Sequence, residues 1–183
     1  MKNLKLLSKI ALSFHDLTDF EKEIPQILKD IGSFIDLNRI FLFFEKPSEN
    51  IKMNFEWCND GVPTMIHEFD NVRCIDFSFL FELLKKNGFL CCNNGNEIPP
   101  KIIKTLHFDE IKSLLIYPLI VQKEMRGFIT FNECRYVHTW TEEELEILNT
   151  VAVLLSSAFE RKIYQEELIS SETSTDMFKE DEN

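Results

Sequence analysis

Two apolar segments that are separated by only three polar residues constrain the fold most strongly. Residues 113–122 (SLLIYPLIVQ) and 126–133 (RGFITFNE) flank Lys123-Glu124-Met125, and such a short connection between β-prone runs predicts an antiparallel hairpin. Residues 39–45 (RIFLFFE) and 52–57 (KMNFEW) predict a second hairpin, because Met53, Phe55 and Trp57 alternate with polar residues. Two hairpins require a sheet with at least one face that other elements cover.

Helical periodicity predicts those covering elements. Apolar residues recur at spacings of three and four along several segments, and the last of these segments opens with a capping box, Thr141-x-x-Glu144. The predicted helices span residues 4–14, 19–35, 76–87, 99–107 and 141 to about 168. The apolar segment 89–92 favours a short further strand. This order predicts an α+β domain with a mostly antiparallel sheet.

Charge and hydropathy narrow the function classes. The 183 residues include 20 basic and 31 acidic side chains, which give a net charge of −11. That charge repels nucleic-acid phosphates and anionic lipids, so we expect neither a nucleic-acid partner nor a membrane partner. Residues 1–14 lack the apolar core and the cleavage site of a secretory signal. We therefore expect a cytoplasmic protein with reduced cysteines, one domain over residues 1–168, and a disordered acidic tail over 169–183.

The last helix carries two apolar stripes, although covering one sheet requires only one. One stripe runs from Leu145 to Phe159, and the other runs from Ile147 to Ala158. The second stripe must meet the first helix, a partner subunit, or both. We expect a homodimer through the terminal helices, and the alternative is that both helices pack within one chain. The predicted dimer-interface residues are Leu4, Leu7, Ala11, Phe14, Leu155 and Phe159.

Three segments carry a resemblance to a known family. FEWCNDGV, SLLIYPLIVQKEMRGFITFNE and HTWTEEELEILNTVAVLLSSAFERK, in this order, resemble GAF domains of the kind found upstream of prokaryotic histidine kinases and diguanylate cyclases. The most specific features are Pro118 in a hairpin with Gly127, and Trp140-Thr141 after Arg135. The resemblance implies a PAS-related antiparallel sheet of five or six strands, with the terminal helices on one face. It places short helices and a small-molecule pocket on the other face, and it implies dimerisation.

The resemblance also suggests where a ligand would bind. An apolar cavity beneath the short helices would be lined by aromatic and small residues, with Thr130 and Asn132 as polar anchors. The other candidates are Phe55, Trp57, Phe77, Phe81, Cys92, Ile103 and Phe108. Each of them is also explained as a core residue, and the cofactor is unknown. Trp57 continues an inward alternation while Cys58 points the other way, so we interpret this pair as architecture.

Specific ligands and chemistries lack their motifs. Phe108-Asp109-Glu110 is contiguous, which breaks the Phe-x-x-x-Asp-Glu spacing of cyclic-nucleotide-binding members, and no Cys-His pair offers a bilin attachment site. Cys134-x-x-x-His138 has no second pair to complete a metal site. We expect a non-enzymatic sensory domain, because no kinase or cyclase sequence is present. The alternatives are a thiol-redox enzyme resembling free methionine sulfoxide reductase, through Cys91-Cys92, or a ligand-free dimerisation module whose own phenylalanines fill the pocket.

Overall fold

The computed structural model describes residues 2–15, 20–45, 52–69, 74–107 and 110–180. These residues contain five α-helices and five strands, which follow one another in the predicted order. The helices are α1 (Lys2–Ser13), α2 (Phe20–Ile35), α3 (Ser78–Asn87), α4 (Pro100–Leu106) and α5 (Glu142–Glu180). The strands are β1 (Arg39–Glu45), β2 (Lys52–Cys58), β3 (Leu90–Cys92), β4 (Ser113–Val121) and β5 (Glu124–Glu133). Short 3-10 turns lie at Ile66–Phe69, Cys74–Phe77 and Gly95–Glu97.

The strands form one antiparallel sheet in the order β2-β1-β5-β4-β3. The α+β class and the five-stranded sheet are therefore confirmed. The β4–β5 turn is tighter than the predicted three residues, because Gln122 and Lys123 both adopt left-handed backbone (φ 52° and 65°). This is the conformation that a two-residue hairpin requires. Gly127 lies so close to β1 that an added Cβ would sit 2.0 Å from the Phe43 carbonyl oxygen.

Each face of the sheet carries its own core. On the long-helix face, α1, α2 and α5 pack over residues such as Ile40, Leu42 and Phe44, and Phe44 stacks on Phe159 with ring centroids 3.9 Å apart. On the short-helix face, α3 and α4 pack over Phe41, Phe43 and Phe128, among others. The two faces follow from the strict alternation of β1, in which odd-numbered residues point to the short helices.

The terminal helices pack together within one chain. The N-terminus of α1 lies near the start of α5, where Asn3 bonds Glu143, and Arg161 Nη2 donates to the Phe14 carbonyl oxygen at 3.2 Å. Phe14, Leu155 and Phe159 are buried in the monomer core, and Leu7 is partly buried against it. Phe14, Leu155 and Phe159 are consequently unavailable to a partner subunit in this arrangement, contrary to their predicted place in a dimer interface. Leu4 and Ala11 remain exposed.

Helix α5 continues to Glu180, twelve residues beyond the predicted end near Leu168. Ser and Thr are indifferent helix formers, so the sequence SSETST gave no helical signal. Extending an existing helix avoids the cost of nucleation, however. The division into a domain and a separate tail at residue 169 stays a prediction. In the part of the chain that the structure describes, no helix combines the length and apolarity needed to cross a membrane.

Candidate functional site

Phenylalanine rings occupy the middle of the short-helix face. Phe43 contacts Phe77 and Phe128 at centroid distances of 4.8 and 5.6 Å, and Phe41 contacts Phe69 at 4.7 Å. All five rings are 2% exposed or less. Aromatic packing of this kind contributes core stability, and it fills the region in which the resemblance implies a pocket.

Several predicted ligand residues belong to this packed core. Phe77 and Cys92 are buried, while Phe81 and Ile103 are partly buried against the same cluster. The two predicted polar anchors are buried on the same face: Asn132 Nδ2 donates to Thr130 Oγ1 at 3.1 Å. Their role as ligand contacts stays a prediction. Phe108 lies outside the described residues.

Phe55 and Trp57 lie on the opposite face. Both pack against the long-helix core, and an added Cβ on Gly32 of α2 would fall 2.0 Å from the Trp57 ring. They cannot share a cavity with Phe77 and Cys92, which corrects the predicted grouping. The correction follows from register, because the alternation that sends Trp57 to α2 sends Glu56 and Cys58 to the short-helix face. This placement supports an architectural role for Trp57.

A cavity of about 430 Å³ opens at the edge of the short-helix face, and we call it the edge cavity. Four chain segments meet there: the start of β1, the loop after β2, the end of α4 with the following loop, and the end of β5. None of the predicted ligand residues that the structure describes lines it. The lining residues are Asn38, Arg39, Gly61, Val62, Pro63, Met65, His107, Glu110, Ile111, Cys134 and Arg135.

Arg39, which lines the edge cavity, belongs to a buried ion pair. Arg39 Nε lies 3.0 Å from Glu56 Oε1, and the two side chains are 7% and 4% exposed. The Glu56 carboxylate is well satisfied, because it accepts the backbone N–H groups of Met65 and Ile66 at 3.0 Å and the Thr64 hydroxyl. Removing either charge would leave the other buried without its partner, which would lower the free energy of unfolding. The pair therefore fixes the 61–66 loop on the sheet.

Arg39 is less well satisfied than its partner. Its Nη2 donates to the Pro63 carbonyl oxygen, but its Nη1 donates to Met65 Sδ at 2.7 Å. A thioether sulfur is only a weak acceptor. Although Nε lies near Glu56, it lacks the alignment of a hydrogen bond. One arm of a buried guanidinium thus has no strong acceptor beside the cavity. The hairpin register could have revealed the pair, since Arg39 lies opposite Cys58 and hence diagonal to Glu56.

A second network stiffens the opposite wall of the edge cavity. Glu133 accepts Arg135 Nε at 3.0 Å and Nη2 at 2.8 Å, and Arg135 Nη2 also donates to the Asp36 carbonyl oxygen at 2.7 Å. Asn38 Oδ1 accepts the N–H groups of Cys134 and Arg135 at 2.8 and 3.1 Å. Burial opposes ionisation of Glu133, yet Arg135 outweighs it and holds the pKa of Glu133 below its ordinary value. This wall ties the end of α2 to the end of β5.

The segment 136–141 leads from this wall directly into α5. His138 N–H donates to Ser113 Oγ at 2.7 Å, and Trp140 N–H donates to Asn93 Oδ1 at 2.9 Å. His138 Nε2 also lies 3.1 Å from Glu144 Oε1. The predicted capping box is confirmed: Thr141 N–H donates to Glu144 Oε2 at 2.8 Å, and Glu144 N–H returns to Thr141 Oγ1 at 3.3 Å. The start of α5 is therefore held by the same loop that forms the cavity wall.

The four cysteines whose thiols the structure describes, Cys58, Cys91, Cys92 and Cys134, are poorly suited to redox chemistry. Burial raises the pKa of the Cys92 thiol to about 11 and also raises the pKa values of Cys58, Cys91 and Cys134. A reactive thiol needs a lowered pKa. Cys91 packs against the long-helix core, whereas Cys92 belongs to the short-helix core. Among the described residues, no group of three or more His, Cys, Asp or Glu side chains is placed to hold a metal ion.

The sheet order, with long helices on one face and short helices on the other, is the architecture that the resemblance implies. A protein-family model described as the GAF domain matches residues 19–159. The chain belongs to the GAF domain family.

Two curated relatives are histidine kinases. The chain is 23% identical to the methanogenesis regulatory histidine kinase FilI of Methanothrix harundinacea over 179 residues, covering 92% of this chain and 20% of the relative. It is 27% identical to the circadian input-output histidine kinase CikA of Thermosynechococcus vestitus over 164 residues, covering 81% of this chain and 22% of the relative. The chain thus spans about a fifth of the length of these two proteins.

Among solved structures, the phycoerythrobilin-bound GAF domain of a cyanobacterial phytochrome superposes with a TM-score of 0.73 at 14% identity. The match covers 91% of this chain and 98% of that domain. At this identity the likeness establishes the fold alone.

Proposed function

We propose that this chain is a non-enzymatic regulatory domain of a signal-transduction protein, which senses a small molecule at the edge cavity and passes the change on through α5. The observation that carries the proposal is the direct connection between the edge cavity and α5. Arg135 forms part of the cavity wall, and only residues 136–141 separate it from the first turn of α5. The similarity to two histidine kinases supports a kinase as the output, and a diguanylate cyclase is the alternative effector.

Helix α5 has the properties of a relay. Its first half is bonded to β4, since Tyr117 Oη donates to the Leu145 carbonyl oxygen at 2.9 Å and Ile120 N–H donates to Ser156 Oγ at 3.0 Å. Among residues 142–171, whose burial the structure describes, Ile163 is the last buried one, and the helix continues to Glu180. A ligand that favours one position of the first turn would move the projecting part as a rod, provided that it binds the two positions with different affinity.

We also propose a homodimer through the outer surface of α1 and α5. Leu4 and Leu12 on α1 are about 70% exposed, and Tyr164 and Leu168 on α5 are also exposed. Tyr164 and Leu168 are four residues apart and therefore lie on one face of the helix, which is the spacing of neighbouring core positions in a coiled-coil seam. Apolar side chains that repeat along one helix face favour a protein partner over solvent.

A native mass spectrum of the chain as purified tests the subunit number and any retained small molecule together. We expect a dimer that carries a discrete extra mass. Leu168→Glu should shift the species toward monomer, because it places a charge on the seam. Ser170→Glu adds the same charge at an exposed position on the opposite side of the helix and should leave the dimer intact. A wild-type monomer over the working concentration range would refute the proposed dimer.

A ligand-free dimerisation module is the second candidate, and the phenylalanine packing of the short-helix face favours it. That candidate predicts a dimer without added mass whose stability no small molecule alters. The thiol-redox alternative has less support, because the neighbouring Cys91 and Cys92 pack into different cores and have raised pKa values. Retention of any reductase activity in a Cys91→Ser/Cys92→Ser variant would remove it.

A further inference from the structure

The chemistry of the edge cavity narrows the class of ligand that it can take. Its volume of about 430 Å³ falls within the range typical of small-molecule sites. Val62, Pro63 and Ile111 provide apolar surface, and Arg39 provides buried donors. The apolar walls suit a small ring, and the donors suit a group with an oxygen acceptor.

Charge around the edge cavity argues against an anion. Arg39 is neutralised by Glu56, and Arg135 is neutralised by Glu133. Glu110 adds a further carboxylate to the lining. Among the described residues at the cavity, no positive charge is left over to attract a carboxylate or a phosphate, so a neutral acceptor meets the smaller electrostatic penalty.

Met65 covers Arg39 Nη1, the donor to which a neutral acceptor on a ligand would bind. Its sulfur is in direct contact with Arg39 Nη1, and the side chain is only partly buried. Methionine is flexible and fills irregular gaps readily, so it can rotate aside without disturbing the Arg39–Glu56 pair. A carbonyl oxygen in the vacated place would exchange a weak acceptor for a charge-assisted hydrogen bond.

We propose that the edge cavity binds a small neutral molecule through a carbonyl or amide oxygen, which displaces Met65 Sδ as the acceptor of the Arg39 Nη1–H group. This inference rests on the proposed sensory function and specifies its ligand class. Met65 acts as a cover over the donor, and the apolar walls hold the remainder of the ligand.

Three probes that share a phenyl ring test the ligand class: benzamide, benzoate and benzylamine. Each is titrated into the 15N-labelled protein, and amide shifts are followed by NMR. We expect benzamide to shift the amides of residues 61–66, 107, 110–111 and 134–135, with at least fivefold weaker binding of the other two probes. Benzoate binding equal to or tighter than benzamide binding would overturn the neutral class, and the absence of shifts at the cavity with every probe would overturn the site.

Two variants test the site and the exchange of acceptors. Val62→Trp should fill the cavity and abolish the benzamide shifts, whereas Ile75→Trp, at an exposed position outside the cavity lining, should retain them. Met65→Leu removes the competing sulfur but keeps the bulk, so benzamide should bind about fivefold more tightly. Unchanged or weaker binding to Met65→Leu would refute the displacement. The native mass spectrum reports a retained small molecule independently, so an extra mass on a protein that ignores benzamide would refute this inference and leave the proposed function standing, whereas no extra mass and no cavity shifts would refute both.

Discussion

Replacing Gly32 with alanine tests the close packing of Trp57 against α2. In an exposed helix interior, Gly→Ala stabilises by about 1 kcal/mol through helix propensity. Here the new Cβ would lie 2.0, 2.3 and 2.5 Å from three atoms of the Trp57 ring, well inside the ~3.5–4.0 Å at which carbon atoms attract. Overpacking of a core costs about 1–3 kcal/mol. Because the ring is rigid, we take the upper value and expect a net loss of about 2 kcal/mol.

A double-mutant cycle with Trp57→Leu isolates the contact, and urea unfolding followed by far-ultraviolet circular dichroism supplies the free energies. Without the ring, Gly32→Ala should recover its propensity gain, so the coupling energy should be about 2–3 kcal/mol. Ser33→Ala, at the next and exposed position of the same helix, is the matched control and should be neutral or slightly stabilising in both backgrounds. Equal effects of Gly32→Ala in the two backgrounds would refute the reasoning.

Three further predictions concern the edge cavity and the cysteines. Arg39→Leu leaves Glu56 buried without its cation, so urea unfolding should report a free energy of unfolding that is lower by about 3–5 kcal/mol. A decrease below about 1 kcal/mol would mean that the pair is dispensable. Lys85→Leu, at an exposed position, is the control. Arg135 lowers the pKa of Glu133 below 4.5, so the stability from this pair is present above that pH and is lost as pH falls through the lowered folded-state pKa. Glu133→Gln should therefore flatten the decline in urea midpoint that the wild type shows as pH falls below about 4.5, and parallel curves would argue against this linkage. Iodoacetamide should alkylate Cys92 more slowly than Cys91 at neutral pH, because burial raises the pKa of Cys92 to about 11; mass spectrometry of the labelled peptides would expose the opposite order.

Much of the fold was predictable because periodic apolar patterns report directly on secondary structure. The two hairpins, the capping box at Thr141 and the long final helix all follow from residue spacing. The packing of the terminal helices was harder to predict, because an apolar stripe does not indicate whether the same chain or a partner subunit covers it. Leu155 and Phe159 would look the same facing α1 of their own chain or that of a partner.

The site was less predictable because it is built where periodicity ends. Alternation placed Phe55 and Trp57 on one face but could not say that this was the face of α2. The edge cavity is formed by loop residues that lie far apart in sequence, such as Val62, Glu110 and Arg135. Their meeting depends on strand order and register, since β1 lies between β2 and β5. Arg39 carried the one local signal, a cation at the start of an apolar strand.

Hydrogen–deuterium exchange across α5 tests most directly whether the edge cavity communicates with the relay helix. The Val62→Trp side chain fills the cavity permanently and so mimics a bound ligand. Ile75→Trp introduces the same side chain outside the cavity and is the control. If the segment 136–141 couples the two, Val62→Trp should alter exchange in residues 134–148, whereas Ile75→Trp should leave that region at the wild-type rate. Changes confined to residues 59–66, with α5 unaltered, would contradict the proposal that this domain passes a signal from the edge cavity to α5.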